Sequence, residues 1–287
     1  MTDFPNVPLL LTPGPLTTSQ AVKEAMLKDW GSRDSSFIDM TARIRRAIEK
    51  IGGVESERGS HVCVPIQGSG TFAIEASITS FVPKDGKVLV LVNGAYGRRI
   101  CKICSYHNRT FLSYETGENV PPSAKDLKSL LEADPEITDV VAVHCETTSG
   151  ILNPIEEIAE VVSKAKCRLI VDAMSTFGAI KLDVKATPCS TIIASSNKCL
   201  EGVPGLGFAL VEREILEASK GISNSLSLDL YDQWVALENN GQWRFTPPTH
   251  VLAALDQALL DHESEGGVKG RFARYINNYR VLVDGMR

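Results

Sequence analysis

One lysine, Lys198, lies in a short polar segment between two apolar segments that have the composition of buried strands. Residues 191–194 lead into it and residues 207–211 lead away from it. An ammonium group in such a place is poorly solvated, which lowers the pKa of a lysine and leaves a neutral amine that can attack carbonyl groups. The segment predicts a chemically reactive lysine, and by itself it does not exclude a surface lysine in a turn.

A glycine-rich turn, Gln67-Gly68-Ser69-Gly70-Thr71, joins a strand predicted at residues 62–66 to a predicted helix. Backbone N–H groups and the helix dipole bind phosphate at such a helix start, and the hydroxyls of Ser69 and Thr71 add donors. The turn is not a Walker loop, because no Gly-Lys-Ser/Thr follows, and it lacks the third glycine of a dinucleotide fingerprint. It therefore favours a single phosphate, with an ordinary capped helix as the alternative.

Residues that could bind a ligand also follow three further predicted strands, at residues 88–92, 139–144 and 168–171. Tyr96 follows the first of these strands between two glycines, where its ring could lie on a planar ligand. A Glu-Thr-Thr sequence (146–148) follows the second strand, and Asp172 ends the third. Asp172 alone could equally be a capping or turn residue.

Strands alternate with helices along the chain, and the helices are predicted at residues 18–30, 38–51, 123–131 and 154–164, the last capped by Asn153. This alternation, with its continuous Val, Ile and Leu runs, predicts an α/β fold with a mostly parallel sheet and helices on both faces. Ligands of such sheets bind at the carboxyl ends of the strands. Because the polar clusters all follow strand ends, we expect them to converge on one site.

The residue types at these strand ends match the requirements of pyridoxal phosphate. This cofactor needs a lysine for its aldehyde, a carboxylate that keeps its pyridine nitrogen protonated, an anion site for its phosphate and packing on its ring. Lys198, Asp172, the turn at residues 69–71 and Tyr96 could supply these in that order. We therefore predict that Lys198 forms a Schiff base with pyridoxal phosphate.

Six stretches spread over nearly the whole chain carry a family resemblance. They are Leu-Leu-Thr-Pro-Gly-Pro-Leu-Thr-Thr (10–18), Gln-Gly-Ser-Gly-Thr-Phe (67–72), Val-His-Cys-Glu-Thr-Thr-Ser-Gly (143–150), Val-Asp-Ala-Met-Ser (171–175), Ser-Leu-Ser-Leu-Asp-Leu-Tyr-Asp-Gln-Trp (225–234) and Trp-Arg-Phe-Thr-Pro-Pro-Thr-His (243–250). With Lys198 they resemble the class V (fold type I) aminotransferases, and most of all the members that act on 2-aminoethylphosphonate and pyruvate. The resemblance implies transamination of these substrates to phosphonoacetaldehyde and alanine, a step of phosphonate catabolism.

The resemblance also implies roles for individual residues. Lys198 would hold the cofactor and then act as general base and acid in a 1,3-proton shift, and Asp172 would pair with the pyridine nitrogen. The other implied cofactor contacts are phosphate ligands at Ser69, Gly70, Thr71 and Asn197, ring contacts at Tyr96, Thr147 and Met174, and a second-subunit contact through Trp243 and Thr246. An obligate homodimer with its active site at the subunit interface follows from that last contact.

Substrate binding is assigned by the same resemblance to Gly14, in a Pro-Gly-Pro corner, and to Arg33, which would anchor a phosphonate or carboxylate. The family continues into a small C-terminal domain that carries an anion-binding arginine, and no residue here matches it. We therefore expect three parts: an N-terminal segment (1–20), a cofactor-binding large domain (21–265) and the start of a truncated small domain (266–287). Activity of a chain without that arginine is in question, because a lost bidentate anion anchor weakens substrate binding.

Composition excludes several other classes of protein. The 287 residues carry a net charge of -5, which argues against a nucleic-acid-binding surface. No apolar run is long enough for a membrane span, and residues 1–5 show no secretory signal. Seven scattered cysteines suit the reduced thiols of a cytoplasmic enzyme. The one close pair, Cys101-x-x-Cys104, lies in a predicted helix and favours buried thiols over a redox or metal site, so no metal is predicted.

Three alternatives remain from the sequence. The first is another class V aminotransferase of the alanine–glyoxylate or serine–glyoxylate type, which stretches 225–234 and 243–250 disfavour. The second is a non-catalytic fragment that binds the cofactor. The third, a cysteine desulfurase, would need a catalytic cysteine in its C-terminal region, and none follows Cys199.

Overall fold

The computed structural model of the chain describes residues 8–55 and 59–287. Residues 1–5, for which no secretory signal is predicted, and the first seven residues of the predicted N-terminal segment lie outside the described residues. The described strands are β1 (His61–Gly68), β2 (Lys87–Val92), β3 (Thr110–Glu115), β4 (Ile137–Val143), β5 (Cys145–Glu146), β6 (Ile151–Leu152), β7 (Arg168–Asp172), β8 (Thr191–Ser195) and β9 (Gly205–Glu212). The described helices are α1 (Gln20–Glu24), α2 (Ser35–Ile51), α3 (Gly70–Phe81), α4 (Ala95–Tyr106), α5 (Ala124–Ala133), α6 (Ile155–Lys164), α7 (Arg213–Ala218), α8 (Leu230–Asn240), α9 (Thr249–Ser264) and α10 (Gly267–Met286).

Seven of the described strands form one sheet in the order β1-β9-β8-β7-β4-β2-β3, and β5 pairs with β6 in a separate hairpin. Strand β9 runs antiparallel to both of its neighbours, whereas the other described pairs in the sheet are parallel. The prediction of a mostly parallel sheet is confirmed. The carboxyl ends of β1, β2, β4, β7 and β8 consequently lie at the same edge of the sheet.

Alternating residues of the strands supply two hydrophobic cores, one on each face of the sheet. In β2, Leu89 and Leu91 join one core while Val88 and Val90 join the other, because successive side chains of a strand point to opposite faces. Helices α2, α5, α6 and α9 contribute to the first core, and α3, α4 and α8 contribute to the second. The continuous apolar runs in the sequence are therefore a consequence of burial on both faces.

The first described helix begins where the sequence predicts and ends earlier. Ser19 caps α1 by accepting a hydrogen bond from the backbone N–H of Val22. The helix ends at Glu24 and continues only as a 3-10 turn to Leu27, so the prediction of a helix reaching Trp30 is wrong at its C-terminal end.

The prediction that Asn153 caps α6 is also wrong, because the residue in the cap position is Pro154. The buried amide of Asn153 instead exchanges hydrogen bonds with the amide of Asn93, at 2.8 and 3.1 Å. It also donates to the carbonyl oxygen of Val143 at 2.7 Å. Buried amides must be hydrogen-bonded, and this pair satisfies both at the ends of β2 and β4.

Some structural features limit the kinds of site that the described residues can form. No helix within the described ranges is both long and apolar enough to cross a bilayer, and no group of three or more His, Cys, Asp or Glu residues there could hold a metal ion. All seven cysteines are unpaired. Cys101 and Cys104 lie in α4, and burial raises the pKa of Cys104 to about 12, so this thiol stays protonated at neutral pH.

Candidate active site

The ends of β4, β7 and β8 bring Asp172 close to the segment that carries Lys198. Asp172 lies opposite Val143 of β4 and Ile193 of β8, and its carbonyl oxygen accepts a hydrogen bond from His144 N at 2.8 Å. Strand β8 ends at Ser195, three residues before the lysine. The two residues on which the sequence prediction depends therefore belong to neighbouring parallel strands and leave the sheet at the same edge.

Asp172 is a buried carboxylate, 2% exposed, and only one of its two oxygens is hydrogen-bonded within the described residues. One oxygen, Oδ1, accepts a hydrogen bond from Met174 N at 3.0 Å, whereas Oδ2 has no partner among the described residues. Burial raises the pKa of Asp172 to about 6, and the negative charge of Glu146 acts in the same direction. A buried, unpaired carboxylate oxygen is unfavourable unless a donor or a cation occupies the adjacent space.

Lys198 is half-buried, and its amine makes one weak hydrogen bond with the described residues. Its Nζ donates to the carbonyl oxygen of Gly14 at 3.3 Å. Burial lowers the pKa of Lys198, while the charge of Asp172 opposes that shift. A methyl group on Gly14 would lie 2.5 Å from Lys198 Cδ and from the carbonyl oxygen of Asn197, so only glycine permits this approach. The amine is thus desolvated and lightly bound, as a nucleophile must be.

The turn that follows Lys198 is anchored by the first turns of α10. The backbone N–H of Glu201 donates to the carbonyl oxygen of Lys198 at 2.9 Å, and Glu201 has a φ of 62°, which is uncommon for a residue with a side chain. Arg271, 1% exposed, donates from Nη1 to the carbonyl oxygen of Cys199. Arg274 Nη2 and Tyr275 Oη each donate to Glu201 Oε1 at 2.8 Å. Contacts from a distant helix therefore hold the backbone that presents the lysine.

The glycine-rich turn leads from β1 into α3 in the geometry expected of a phosphate site. Ser69 is the N-cap residue, and its side chain makes no capping hydrogen bond within the described structure. A methyl group on Gly70 would lie 2.6 Å from Met174 Sδ, so Gly70 packs directly against this methionine. Thr71 Oγ1 accepts a hydrogen bond from Arg99 Nη1 at 3.1 Å. The start of α3 thus presents hydroxyl groups and helix N–H groups together.

Tyr96 is held at the start of α4 by a buried acid. Its backbone N–H points at both carboxylate oxygens of Glu146, at 3.3 and 3.4 Å, and Glu146 is fully buried. Glu146 also accepts a hydrogen bond from Thr148 Oγ1 at 2.9 Å. The Arg99 guanidinium lies 4.5 Å from the centroid of the Tyr96 ring. Neighbouring Thr147 shares a 2.7 Å hydrogen bond with Ser175 Oγ.

One of these residues, Arg99, was not singled out by the sequence analysis, whereas Glu146 belongs to the predicted cluster at residues 146–148 without a role of its own. Arg99 follows Tyr96 by three residues, a spacing that places both side chains on the same face of a helix. His144 was also passed over, and burial lowers its pKa to about 4, so its ring is neutral at physiological pH.

Three predicted residues lie apart from these contacts. Arg33 and Thr246 are exposed, and Trp243 is half-buried with its Nε1 donating to Thr41 Oγ1 at 3.4 Å. Among the described residues, no hydrogen bond joins any of the three to Lys198 or Asp172. Their predicted roles at the substrate and at a second subunit stay predictions.

Whether pyridoxal phosphate suits this site can be judged from Asp172, whose Oδ2 has no partner among the described residues. A protonated pyridine nitrogen is a donor and a cation, which is what that buried oxygen lacks. The lightly held amine of Lys198, the exposed hydroxyl of Ser69 and the ring of Tyr96 could supply the other groups that the cofactor needs. A mostly parallel α/β sheet with these groups at the carboxyl ends of its strands defines a pyridoxal-phosphate-dependent enzyme of fold type I.

Comparison with known families agrees with this class. The family model described as Aminotransferase class-V matches residues 29–270. The chain belongs to the class V aminotransferase family, and it is accordingly a pyridoxal-phosphate-dependent aminotransferase. This confirms the family and the cofactor that the sequence predicts.

Curated relatives refine the comparison within the family. The chain is 54% identical over 286 residues to a 2-aminoethylphosphonate–pyruvate transaminase of Pseudomonas aeruginosa (strain UCBPP-PA14), covering 100% of this chain and 76% of the relative. It is 54% identical over 280 residues to the enzyme of that name from Rhizobium meliloti (strain 1021), covering 98% of this chain and 73% of the relative.

Solved structures agree on the fold. Pyridoxamine-pyruvate aminotransferase from Mesorhizobium loti superposes with a TM-score of 0.84 at 26% identity, over 96% of this chain and 69% of that one. An alanine–glyoxylate aminotransferase from Nostoc sp. gives a TM-score of 0.88 at 24% identity, over 96% of this chain and 74% of that one. At 24% identity, the second match shows only that the fold is shared.

Proposed function

We propose that the chain transfers the amino group of 2-aminoethylphosphonate to pyruvate with pyridoxal phosphate, forming phosphonoacetaldehyde and alanine. Relatives that are more than half identical over almost the whole chain carry that activity in their names. The observation that carries the proposal at the level of chemistry is the Lys198–Asp172 pair: a desolvated amine and a buried carboxylate with a free oxygen at one sheet edge. The reaction belongs to phosphonate catabolism.

The cofactor, when bound, supplies an electron sink that stabilises negative charge on the substrate carbon next to nitrogen. Asp172 would hold a proton at the ring nitrogen through its unpaired Oδ2, and the buried surroundings strengthen that pairing. Lys198 Nζ would hold the aldehyde carbon. Once free, it would take the proton from the substrate carbon and deliver it two atoms away, which completes the 1,3-proton shift. Burial lowers the pKa of this amine, which raises the fraction of the neutral, proton-accepting form at a given pH.

The remaining predicted contacts are proposed as follows. The phosphate would bind at the start of α3, where Ser69, Gly70 and Thr71 offer N–H and hydroxyl donors, with Asn197 beside it. Tyr96, Thr147 and Met174 would contact the ring, which the packing of Met174 against Gly70 supports. Gly14, in contact with the Lys198 side chain, and the exposed Arg33 are proposed to face the substrate.

We further propose a homodimer in which Trp243 and Thr246 complete the phosphate site of the partner. The exposure of Thr246 supports this arrangement, because an exposed hydroxyl is available to a second subunit. Neighbouring Phe245 is 45% exposed, which adds an apolar contact surface. The molar mass in solution from light scattering tests the dimer, and a monomer that retains full activity would contradict it.

Seven unpaired thiols support a cytoplasmic location.

The function is tested first by the visible spectrum of the protein mixed with pyridoxal phosphate. We expect an absorption band that Lys198→Ala removes. Turnover is then measured as alanine formed from pyruvate, or glycine formed from glyoxylate, with 2-aminoethylphosphonate, serine or another amine as donor. Lys198→Ala is expected to lower the rate by at least about 10³-fold.

Each outcome has a separate meaning. A band without alanine formation from any donor would contradict catalysis by this chain and favour a protein that only binds the cofactor. Faster turnover with serine and glyoxylate would point to another branch of class V. A colourless protein would contradict both the cofactor site and the proposed reaction.

A further inference from the structure

Arg99 stands out because its cation lies where positive charge is already concentrated. It is the fifth residue of α4, and its Nη1 donates to Thr71 Oγ1, in the first turn of α3, at 3.1 Å. The N-terminus of a helix carries a partial positive charge, so cations are disfavoured there and anions are favoured. The guanidinium therefore sits near the starts of two helices, an arrangement that an anion would stabilise.

No carboxylate in the described part of the chain forms an ion pair with Arg99. Its neighbour Arg98 forms one with Glu118 at 3.1 Å, which shows that an acid is within reach of this helix. A guanidinium has five N–H donors. One hydrogen bond, to the neutral hydroxyl of Thr71, is made within the described residues, and the face of the group rests on the Tyr96 ring at 4.5 Å. Most of the donors are left for a ligand.

A second observation places a missing ligand at the same edge of the sheet. Asp172 is 2% exposed, and its Oδ2 has no partner among the described residues. Burial raises the pKa of its carboxyl, and the positive charge of Arg99 lowers it by a smaller amount. No hydrogen bond joins the two side chains among the described residues. Arg99 is exposed, so its remaining donors are open to solvent or to a ligand, and a ligand that carries a cation for Asp172 and an anion for Arg99 would satisfy both groups.

We propose that Arg99 is a direct ligand of a tetrahedral oxyanion, a phosphate or phosphonate group, in the active site. The planar fork of a guanidinium binds two oxygens of such a group at once. Two sources share this chemistry, the phosphate of the cofactor and the phosphonate of the amino donor. The inference rests on the proposed function for its choice of ligands.

The experiment compares Arg99→Gln with Arg98→Gln, a matched neighbour on the same helix that already has an acid partner. Affinities for pyridoxal phosphate and for pyridoxal, the same ring without phosphate, are measured by titration of the visible band. The affinity of the cofactor-loaded protein for methylphosphonate is measured by calorimetry. Arg99→Lys, which keeps the charge and loses the fork, is expected to lie between wild type and Arg99→Gln.

We expect Arg99→Gln to weaken binding of one oxyanion by about tenfold or more, while Arg98→Gln leaves all three affinities unchanged. A loss for pyridoxal phosphate without a loss for pyridoxal identifies the cofactor phosphate as the ligand. A loss for methylphosphonate alone identifies the substrate phosphonate.

Two results would overturn the proposal. Equal losses for pyridoxal phosphate and pyridoxal would mean that Arg99 acts only by positioning the Tyr96 ring. Unchanged affinities for all three ligands would mean that it binds no oxyanion. Neither result depends on turnover, so failure of the proposed reaction is recognised separately, by a wild-type protein that binds the cofactor and forms no alanine.

Discussion

Two charged clusters flank Lys198, and they differ in how completely their members are paired. The first, which we call the α10 anchor, consists of Glu201, Glu265, Arg271, Arg274 and Tyr275. Glu265 accepts from Arg271 Nε and Arg274 Nε at 2.6 Å each. Hydrogen bonds from the arginines, that of Arg274 foremost, lower the pKa of Glu265 to about 2. Every charge in this cluster has a partner of opposite sign.

The second cluster, the sheet edge, consists of Asp172, Lys198 and Arg99, and its members are poorly paired. Within the described part of the chain, Asp172 keeps a free oxygen, Lys198 reaches only a carbonyl, and Arg99 reaches only a hydroxyl and a ring. Burial raises the pKa of Asp172 to about 6, in the opposite direction to Glu265. A buried charge without a partner is unfavourable and points to a place that a ligand could complete, whereas the paired charges of the α10 anchor need no ligand.

The largest expected effect comes from breaking the α10 anchor at Arg271. Arg271→Met would leave Glu265 without one of its partners and the Cys199 carbonyl without its donor, which we expect to destabilise the protein by about 3–5 kcal/mol. Because the turn after Lys198 loses its support, the pH dependence of the visible band is expected to change as well. Denaturant unfolding and a pH titration of the band measure the two effects.

The control for this substitution is Arg45→Met. Arg45 is partly buried and, like Arg271, donates to a backbone carbonyl, that of Cys63 at 2.9 Å, and to a carboxylate, that of Glu238 at 2.6 Å. It is expected to lower stability without moving the pH profile of the band. If Arg271→Met behaves in the same way as this control, the anchor stabilises the fold and does not position the lysine.

A smaller effect, on the pH dependence of the unfolding free energy, is expected at the sheet edge from Asp172→Asn in the cofactor-free protein. Wild-type Asp172 has a pKa of about 6 when folded against an ordinary value of 3.8, so the folded state holds a proton that the unfolded state has released. Its contribution to stability therefore declines as the pH rises from about 4 to about 6, by roughly 3 kcal/mol in total. Asp172→Asn removes this decline.

The measurement is the difference in unfolding free energy between wild type and Asp172→Asn at pH 4 and pH 7. Taking the difference cancels other groups, such as His144, whose lowered pKa acts in the opposite direction. Saturating pyridoxal phosphate is expected to reduce the difference at pH 7, because a ring cation would pair with the carboxylate. A difference that does not vary with pH would show that Asp172 is not desolvated.

The smallest effect is expected from Arg274→Gln, at the exposed rim of the α10 anchor. The Arg274 side chain is 43% exposed, and exposed ion pairs contribute less than about 1 kcal/mol. Thermal unfolding and the visible band are both expected to stay close to those of wild type. A loss comparable to that of Arg271→Met would mean that the anchor acts as one cooperative network rather than through its buried member.

The sequence by itself predicted six of the seven described strands of the main sheet, their burial on both faces and the sheet edge at which the candidate site lies; it did not predict β3, whose residues are mostly exposed. Continuous apolar runs predict strands buried on both faces, and the carboxyl ends of parallel strands must meet at one edge. Lys198, Asp172, the turn at residues 69–71 and Tyr96 were predicted in this way, since each follows such a run, and their roles at the cofactor stay predictions. The domain boundary at residue 266 and the dimer stay predictions.

Only the tertiary structure decided which charges are paired. Arg271 and Glu201 are 70 residues apart in a chain with 30 basic and 35 acidic residues, and no local sequence pattern indicates that these two form a pair. The same limit explains Asn153, whose amide was expected to cap a helix and instead bonds Asn93, 60 residues away. The pattern of apolar residues along the chain predicts burial, because the pattern is set by each residue and its neighbours in sequence. Pairing depends on distances between segments, and these exist only once the chain has folded.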